Sequence, residues 1–371
     1  MPKEDIFFSG DAYFNALFED IDQAEKCIDI ETYIFAADAL GERLSQHLIA
    51  AAKRGVHVRL LVDGAGTGWQ KIPFFDNLRA GGVEVRVYHP FLWRFWQLRY
   101  GIIRIHFLLK AFYFFYNANK RNHRKVCVID QKIGYVGSAN ISICHLSASQ
   151  EGKGWRDTIV RLEDIDLREL TTAFNACWSH ETVKKRARKI NLHNPIRLNN
   201  TRRKRRLLYK QLLQHMARCQ KRIWIVNSYF VPDNFLLHIL KDRARMGVDV
   251  RILLPEKADL LIMPWASSAF YASLLEAGVK ILEYTPSMLH AKSLQLDDWV
   301  MVGSSNLNHR SLLHDLEVDV NIQQKETKLK IEEQFLKDVA LSKEISLDSW
   351  LKRGWIKKNI GRLFLYLKYW I

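Results

Sequence analysis

Short apolar runs rich in β-branched residues follow one another along the chain in a fixed order, and the whole order then repeats. EKCIDIETYIF (25–35) has its counterpart in KRIWIVNSYFV (221–231), a run that also closes on aromatic residues. RGVHVRLLVDG (54–64) is matched by MGVDVRILLPE (246–256), and GGVEVRVY (81–88) by AGVKILEY (277–284). Last in each series come HRKVCVIDQKIGYVGSAN (123–140) and HAKSLQLDDWVMVGSSN (290–306). The Gly-Val-x-Val units follow helix-like stretches such as LSQHLIAAAKR, so the pattern predicts strand–helix–strand units. Two α/β domains related by duplication follow from it, one over 1–183 and one over 207–335. The stretch 184–206 is left as a linker and 336–371 as a tail.

The repeat also exposes an insertion. Gly82 to His123 spans 41 residues, whereas the matching Gly278 to His290 spans 12. The excess falls on FLWRFWQLRYGIIRIHFLLKAFYFFY, with eleven aromatics between Phe91 and Tyr116 and with Arg94, Arg99, Arg104 and Lys110 scattered among them. A helix buried in its own domain would not carry cations through such a run. The insertion (about 89–118) therefore reads as an interfacial element, with rings at headgroup depth and cations towards lipid phosphates. At the C-terminus, Ile356, Ile360, Leu363, Leu367 and Trp370 fall at helical spacing among Lys352, Arg353, Lys357, Lys358, Arg362 and Lys368. Gly354 and Gly361 weaken that helix, but its charge and its Trp and Tyr content predict a second membrane-surface contact. Packing of either element on the protein itself is the plainer alternative.

Charge sharpens this picture. The formal net charge is +16, yet 25 of the 56 basic residues lie in three acid-free segments: Phe91 to Lys125, Lys184 to Arg206 and Trp350 to Ile371. The remainder holds 31 bases against all 40 acids, so the basic character belongs to segments that meet something anionic. An apolar fraction of 48% excludes a disordered chain. The longest uncharged run, Leu260 to Leu275, is 16 residues and contains Pro264, which is short for a membrane span. Lys3, Glu4 and Asp5 directly after the start do not suit a secretory signal. The five cysteines show neither pairing nor metal-ligand spacing, as expected of free thiols in a reducing compartment.

The chemistry sits in the fourth repeated unit. His123 and Lys125 are two apart on a β-type run, so both side chains leave the same face, and His290 and Lys292 repeat the arrangement. Asp130 and Asp297 each follow their histidine by seven residues, an odd offset that would turn them to the other face. They are expected to orient or brace the site. A Gly-Ser-x-Asn turn then follows in each half, offering Ser138 and Asn140, and Ser304 and Asn306, with backbone N–H groups, to phosphate oxygens. One neutral imidazole can attack phosphorus while a second, protonated one donates to the leaving oxygen. Two lysines and two asparagines can balance the equatorial charge without a metal. A carboxylate behind each imidazole would fix its tautomer, and the candidates are Asp157, downstream of His123, and Glu317, downstream of His290. No acidic cluster accompanies the histidines and the adjacent lysines would repel a cation, so no metal or other cofactor is expected.

At these residues the sequence resembles the phospholipase D superfamily, through its two His-x-Lys-x(4)-Asp motifs and Gly-Ser-x-Asn turns. Over roughly residues 10–325 it is most similar to bacterial cardiolipin synthases, with IETYIF near the start, WRDT at 155–158 and GSSNLNHRSLLHDLEVDV at 303–320. Asn308 stands where many relatives have Asp, a change expected not to touch the substrate. The resemblance implies an α/β fold of two homologous phospholipase D-like domains, each a mixed sheet flanked by helices, around one pseudo-twofold site. It implies transfer of a phosphatidyl group to a histidine and then to an alcohol, with phosphatidylglycerol as donor and as acceptor and with glycerol released. It assigns attack to His123 and acid–base work to His290. It also implies a peripheral protein on an anionic phospholipid membrane, at the cytoplasmic face of a bacterial inner membrane, with no nucleic-acid partner. Hydrolysis on the same fold, a nuclease drawing on the basic segments, and a non-catalytic membrane scaffold are the rival readings.

Overall fold

The structure is a computed structural model that describes residues 3–67, 72–90, 120–179, 194–260 and 262–352. The aromatic insertion (within 91–119), the end of the expected first domain with the first part of the expected linker (180–183 and 184–193) and the cationic C-terminal stretch (353–371) lie outside the described residues.

The duplication read from the apolar runs is present, seven strands of one sheet recurring in order in the other, which adds an eighth. The first sheet contains β1 (Lys3–Phe7), β2 (Cys27–Thr32), β3 (His57–Asp63), β4 (Glu84–Tyr88), β5 (Val126–Ile129), β6 (Ile133–Gly137) and β7 (Ile159–Glu163), in the order β1-β7-β6-β5-β2-β3-β4. The second contains β8 (Ile196–Leu198), β9 (Arg222–Val226), β10 (Asp249–Pro255), β11 (Lys280–Tyr284), β12 (Ser293–Leu296), β13 (Trp299–Gly303), β14 (Val318–Ile322) and β15 (Ser342–Ile345), in the order β15-β11-β10-β9-β12-β13-β14-β8. In each sheet the strands joined by helices run parallel (β2-β3-β4 and β9-β10-β11), while the hairpin strands β5-β6-β7 and β12-β13-β14 run antiparallel. Helices 39–53 and 234–245 start on Asp38 and Asp233, whose carboxylates accept an N–H from the first turn, the ordinary stabilisation of a helix start.

Two boundaries differ from the sequence reading. β8 falls inside the expected linker and the helix Arg202–Arg218 begins in it, and they repeat β1 and the helix Gly10–Asp22. The second domain therefore begins by residue 196. Eleven cations hid this start, because only Ile196 and Leu198 show an apolar alternation there, and strand β8 gains its stability from pairing with β14. At the other end, the helix Lys325–Ala340 runs past 335 and β15 pairs antiparallel with β11. Trp350 is buried against Tyr271, with ring centroids 5.1 Å apart, so 336–352 belongs to the second domain and not to a tail.

The two sheets meet through Val126, Val128, Val136 and Val160 of the first and Val300, Val302, Val318 and Val320 of the second, in one buried cluster. Arg156 crosses this junction to Asp338 at 2.9 Å, and both are buried. The junction fixes the spacing of the two hairpins that carry the histidines.

Candidate functional site

His123 precedes β5 and His290 precedes β12, so each stands at the N-terminal end of a central strand of its sheet. Backbone hydrogen bonds across the junction set them in register: His123 N–H donates to Leu316 O (3.0 Å) and His290 N–H to Arg156 O (2.8 Å). The residue after each of those carbonyls is a carboxylate. Glu317 therefore receives His123 Nδ1 at 3.0 Å, and Asp157 receives His290 Nδ1 at 2.7 Å. Each carboxylate serves the histidine of the opposite half, a crossed pairing that linear spacing could not show. With Nδ1 carrying the proton given to a carboxylate, Nε2 of each ring keeps its lone pair.

The lysines stand beside them. Lys125 Nζ donates to His123 O at 2.6 Å, and Lys292 Nζ donates to Ser228 Oγ at 3.0 Å and to His290 O. Burial lowers Lys125 to about 7 and Lys292 to about 8. Burial, then Lys125, Lys292 and Arg310, hold His123 well below the usual imidazole range, so cations of both halves act on one ring. His290 is likewise lowered, by burial and then by Lys292. Burial pushes Glu317 up to about 7, whereas Asp157 stays well below the carboxylate range because His145 and His290 outweigh its burial. The ring of Tyr33 meets His123 edge-on at 5.1 Å.

Other predicted residues are placed differently. Asp130 and Asp297 lie at the far ends of β5 and β12, away from the histidines, so they are not catalytic groups. Each sits in a left-handed turn (φ 52° and 51°) and accepts three backbone N–H groups at the start of the neighbouring strand. Those donors outweigh burial and keep both carboxyls low. The odd offset turned them from the histidines, but what they brace is the start of β2 and of β9, not the site they were expected to orient or brace.

The serines of the Gly-Ser-x-Asn turns are also not phosphate ligands. Ser138 Oγ donates to Asp157 Oδ1 at 2.7 Å and Ser304 Oγ donates to Glu317, and both serines are fully buried. The turn amides are occupied as well: Ser138 N–H and Ser304 N–H bond Thr158 O and Val318 O. Glycine precedes each serine for close packing, since a Cβ on Gly137 would stand 2.6 Å from Thr158 O and one on Gly303 2.5 Å from Val318 O. Asn140 and Asn306 are buried; Asn140 Oδ1 accepts the Ile34 N–H at 3.3 Å, whereas Asn306 Oδ1 has no partner among the described residues. Asn308 caps the short helix His309–Leu313 through Oδ1 to Ser311 N (2.8 Å), a task an Asp would perform equally.

His145 and Ser311 were missed by the sequence reading. Each lies five residues past the Asn of its turn, so the repeat held the signal. His145 Nδ1 reaches Asp157 Oδ2 at 2.6 Å, and Ser311 Oγ donates to Glu317. His145, Asp157 and His290 form the one cluster among the described residues close enough to hold a metal ion. Their facing atoms are already joined to each other by hydrogen bonds, and Lys292 would repel a cation there, so they do not fit one.

Two neutral imidazoles on ionisable carboxylates, flanked by two lysines with lowered pKa, make a site for covalent phosphoryl transfer. The lysines supply charge only while protonated, and that charge is lost as the pH rises through about 7 and 8. The profile of kcat/KM should therefore fall on the alkaline side from about pH 7, more steeply beyond about 8, and a profile flat to about pH 10 would remove the lysines from this role.

A fold of two such half-sites is that of the phospholipase D-like phosphoryl-transfer proteins. The family model for cardiolipin synthase, PLD-like domain, matches residues 17–178 and 212–339, and the chain belongs to this family. A cardiolipin synthase of Clostridium perfringens (strain SM101 / Type A) is 31% identical over 98% of this chain and 75% of its own length. One from Geobacillus thermodenitrificans (strain NG80-2) is 31% identical over 96% of this chain and 71% of its own. Among solved structures, the phosphatidylserine synthase of Haemophilus influenzae Rd KW20 superposes with a TM-score of 0.69 over 98% of this chain and 93% of that one. At 14% identity that likeness shows the shared fold alone.

Proposed function

We propose that the protein is a phosphatidyltransferase that makes cardiolipin from two molecules of phosphatidylglycerol. The observation that carries the reading is the crossed pair of His–carboxylate contacts within a chain of the cardiolipin synthase family. His123 Nε2 attacks the donor phosphorus, forming an N–P bond as the P–O bond to glycerol breaks. His290 gives its Nε2 proton to the departing glycerol oxygen. The hydroxyl of the second phosphatidylglycerol then returns a proton to His290 as its oxygen attacks phosphorus, and the N–P bond breaks. An anionic diester between the two rings raises both imidazole pKa values, so proton uptake accompanies substrate binding. Lys125, Lys292 and the amides of Asn140 and Asn306 balance the equatorial charge.

The test is incubation of the purified protein with labelled phosphatidylglycerol in detergent micelles containing excess chelator. Cardiolipin and free glycerol are the expected products. Phosphatidic acid with glycerol would make the protein a hydrolase, and loss of all turnover restored by a divalent ion would overturn the metal-free site.

The substrate places the enzyme at a membrane surface, and the cationic segments at 91–116 and 353–371 suit peripheral contact with anionic lipid at the cytoplasmic face of a bacterial inner membrane. Among the described residues no helix is long and apolar enough to cross a membrane. Because Trp350 is part of the core, the truncation that tests this contact begins at 353. Removal of 353–371 should weaken sedimentation with anionic vesicles, more at low salt than at high, since each Lys or Arg near such a surface contributes roughly 1 kcal/mol that salt screens. Equal partitioning of both forms would mean that this stretch packs on the protein.

A further inference from the structure

The two half-sites share their His–carboxylate, Lys and Ser contacts, and one difference between them bears directly on the carboxylates. Five residues past Asn306, Ser311 Oγ accepts the Asn306 N–H at 3.1 Å and donates to Glu317. Five residues past Asn140 the chain places an imidazole instead. His145 Nε2 accepts the Asn140 N–H at 3.2 Å, so Nδ1 carries the proton that goes to Asp157 Oδ2 at 2.6 Å. Against its burial, Asp157 draws the ring's pKa up, but the N–H aimed at Nε2 opposes a second proton there and keeps the imidazole neutral. His145 is 1% exposed, and it takes no part in the proposed reaction. Asp157 thus lies between two imidazoles, with His290 and Ser138 on Oδ1 and His145 on Oδ2. The His145 and His290 ring centroids are 5.4 Å apart, and Trp155 packs on both, at 5.2 and 5.5 Å.

This difference separates the two carboxylates chemically. A hydrogen bond given to a carboxylate favours its ionised form, and each carboxylate receives three from side chains. On Asp157 the third comes from a second imidazole, whose N–H is a stronger donor than a hydroxyl, so Asp157 is the weaker base and does not draw the Nδ1 proton away from His290. An imidazolium formed at His290 is then faced by a full negative charge. Glu317 instead meets hydroxyls from Ser304 and Ser311, and burial pushes it up to about 7. Other charged or titratable groups around Asp157 are Lys125, Lys292 and Tyr13, while Arg156, its neighbour in sequence, is committed to Asp338. Both lysines also act on Glu317, so they do not distinguish the two arms.

We propose that His145 is a positioning residue that holds Asp157 ionised and aimed at His290, and thereby assigns proton transfer to His290 and attack on phosphorus to His123. The proposal rests on the phosphatidyl-transfer reading above. It gives His145 no contact with substrate, and its proton stays on Nδ1 throughout.

The experiment compares wild type, His145→Ala and His145→Gln in the micelle assay across pH 4.5 to 9. Gln offers one donor and one acceptor, as the neutral imidazole does. His145→Ala is expected to lose roughly ten- to a hundredfold in kcat with little change in KM, because the lost contact acts on the proton-transfer step. The acid limb of kcat/KM should also move up by about one pH unit, the worth of one charge-assisted hydrogen bond to Asp157. His145→Gln should recover most of kcat and return the acid limb towards its original position. A uniform loss at every pH, or a folded Gln variant as impaired as Ala with no recovery of the limb, would overturn the proposal and leave His145 a packing residue. Should His145→Ala fail to fold, the Gln variant decides alone: a wild-type limb supports the donor role, and a shifted limb refutes it. A wild type that makes no cardiolipin would sink the functional reading itself, an outcome distinct from an active wild type with an unresponsive His145.

Discussion

His123→Ala and His290→Ala should each lower phosphatidyl transfer by roughly 10⁴-fold or more, with fold and vesicle binding retained. Groups that act as one unit are strongly non-additive, so the double variant should be little worse than either single one. The reason is visible in the junction between the halves. Each imidazole takes its carboxylate and its backbone register from the other half, so neither half holds a complete arm. The two variants should nevertheless fail differently. With His290→Ala, attack by His123 has no acid for the leaving glycerol, yet a donor with a good leaving group needs none. A nitrophenyl phosphodiester should therefore still label His123 in that variant, detected as an acid-labile phosphohistidine, and should leave His123→Ala unlabelled. More than a few per cent of transfer in either variant would rule out the two-histidine mechanism.

Asp157→Asn and Glu317→Gln carry the second large effect, about 10³- to 10⁴-fold in kcat, the scale seen when a buried carboxylate behind a catalytic imidazole becomes an amide. An amide nitrogen facing Nδ1 turns the ring to the wrong tautomer and moves its lone pair away from Nε2. Asp157→Asn disables His290, and Glu317→Gln disables His123, each in the opposite half. The phosphohistidine experiment reads this crossing directly. Labelling by the activated diester should survive Asp157→Asn and be lost in Glu317→Gln, although Asp157 lies in the half that contains His123. Labelling that followed the half rather than the contact would overturn the pairing.

The sequence by itself determined a great deal here, because the duplication doubled every signal. Repeated apolar runs gave the strands, and the Gly-Val-x-Val starts marked where helices hand over to them. The two His-x-Lys pairs pointed to the candidate reacting groups, since period-two geometry in a strand is a local property. The seven-residue offset turned Asp130 and Asp297 from the histidines for the same reason. Where local pattern was weak, the boundaries slipped. β8 has three residues in a cationic stretch, and β15 is an edge strand of SKEI, and both exist because a neighbouring strand offers them hydrogen bonds.

Only the tertiary structure decided who meets whom. The serines of the Gly-Ser-x-Asn turns looked free to bind phosphate, yet burial leaves a hydroxyl no solvent partner and the nearest acceptors are Asp157 and Glu317. The carboxylates were identified from composition and distance along the chain, but their crossing comes from Arg156 and Leu316 bridging to Leu289 and Asn122 across the junction. The repeat set His145 opposite Ser311, but its meaning lies in the acceptor and the donor that the folded chain sets against its two nitrogens. Spacing along a strand fixes direction, whereas partnership depends on two surfaces that meet only after both halves have folded.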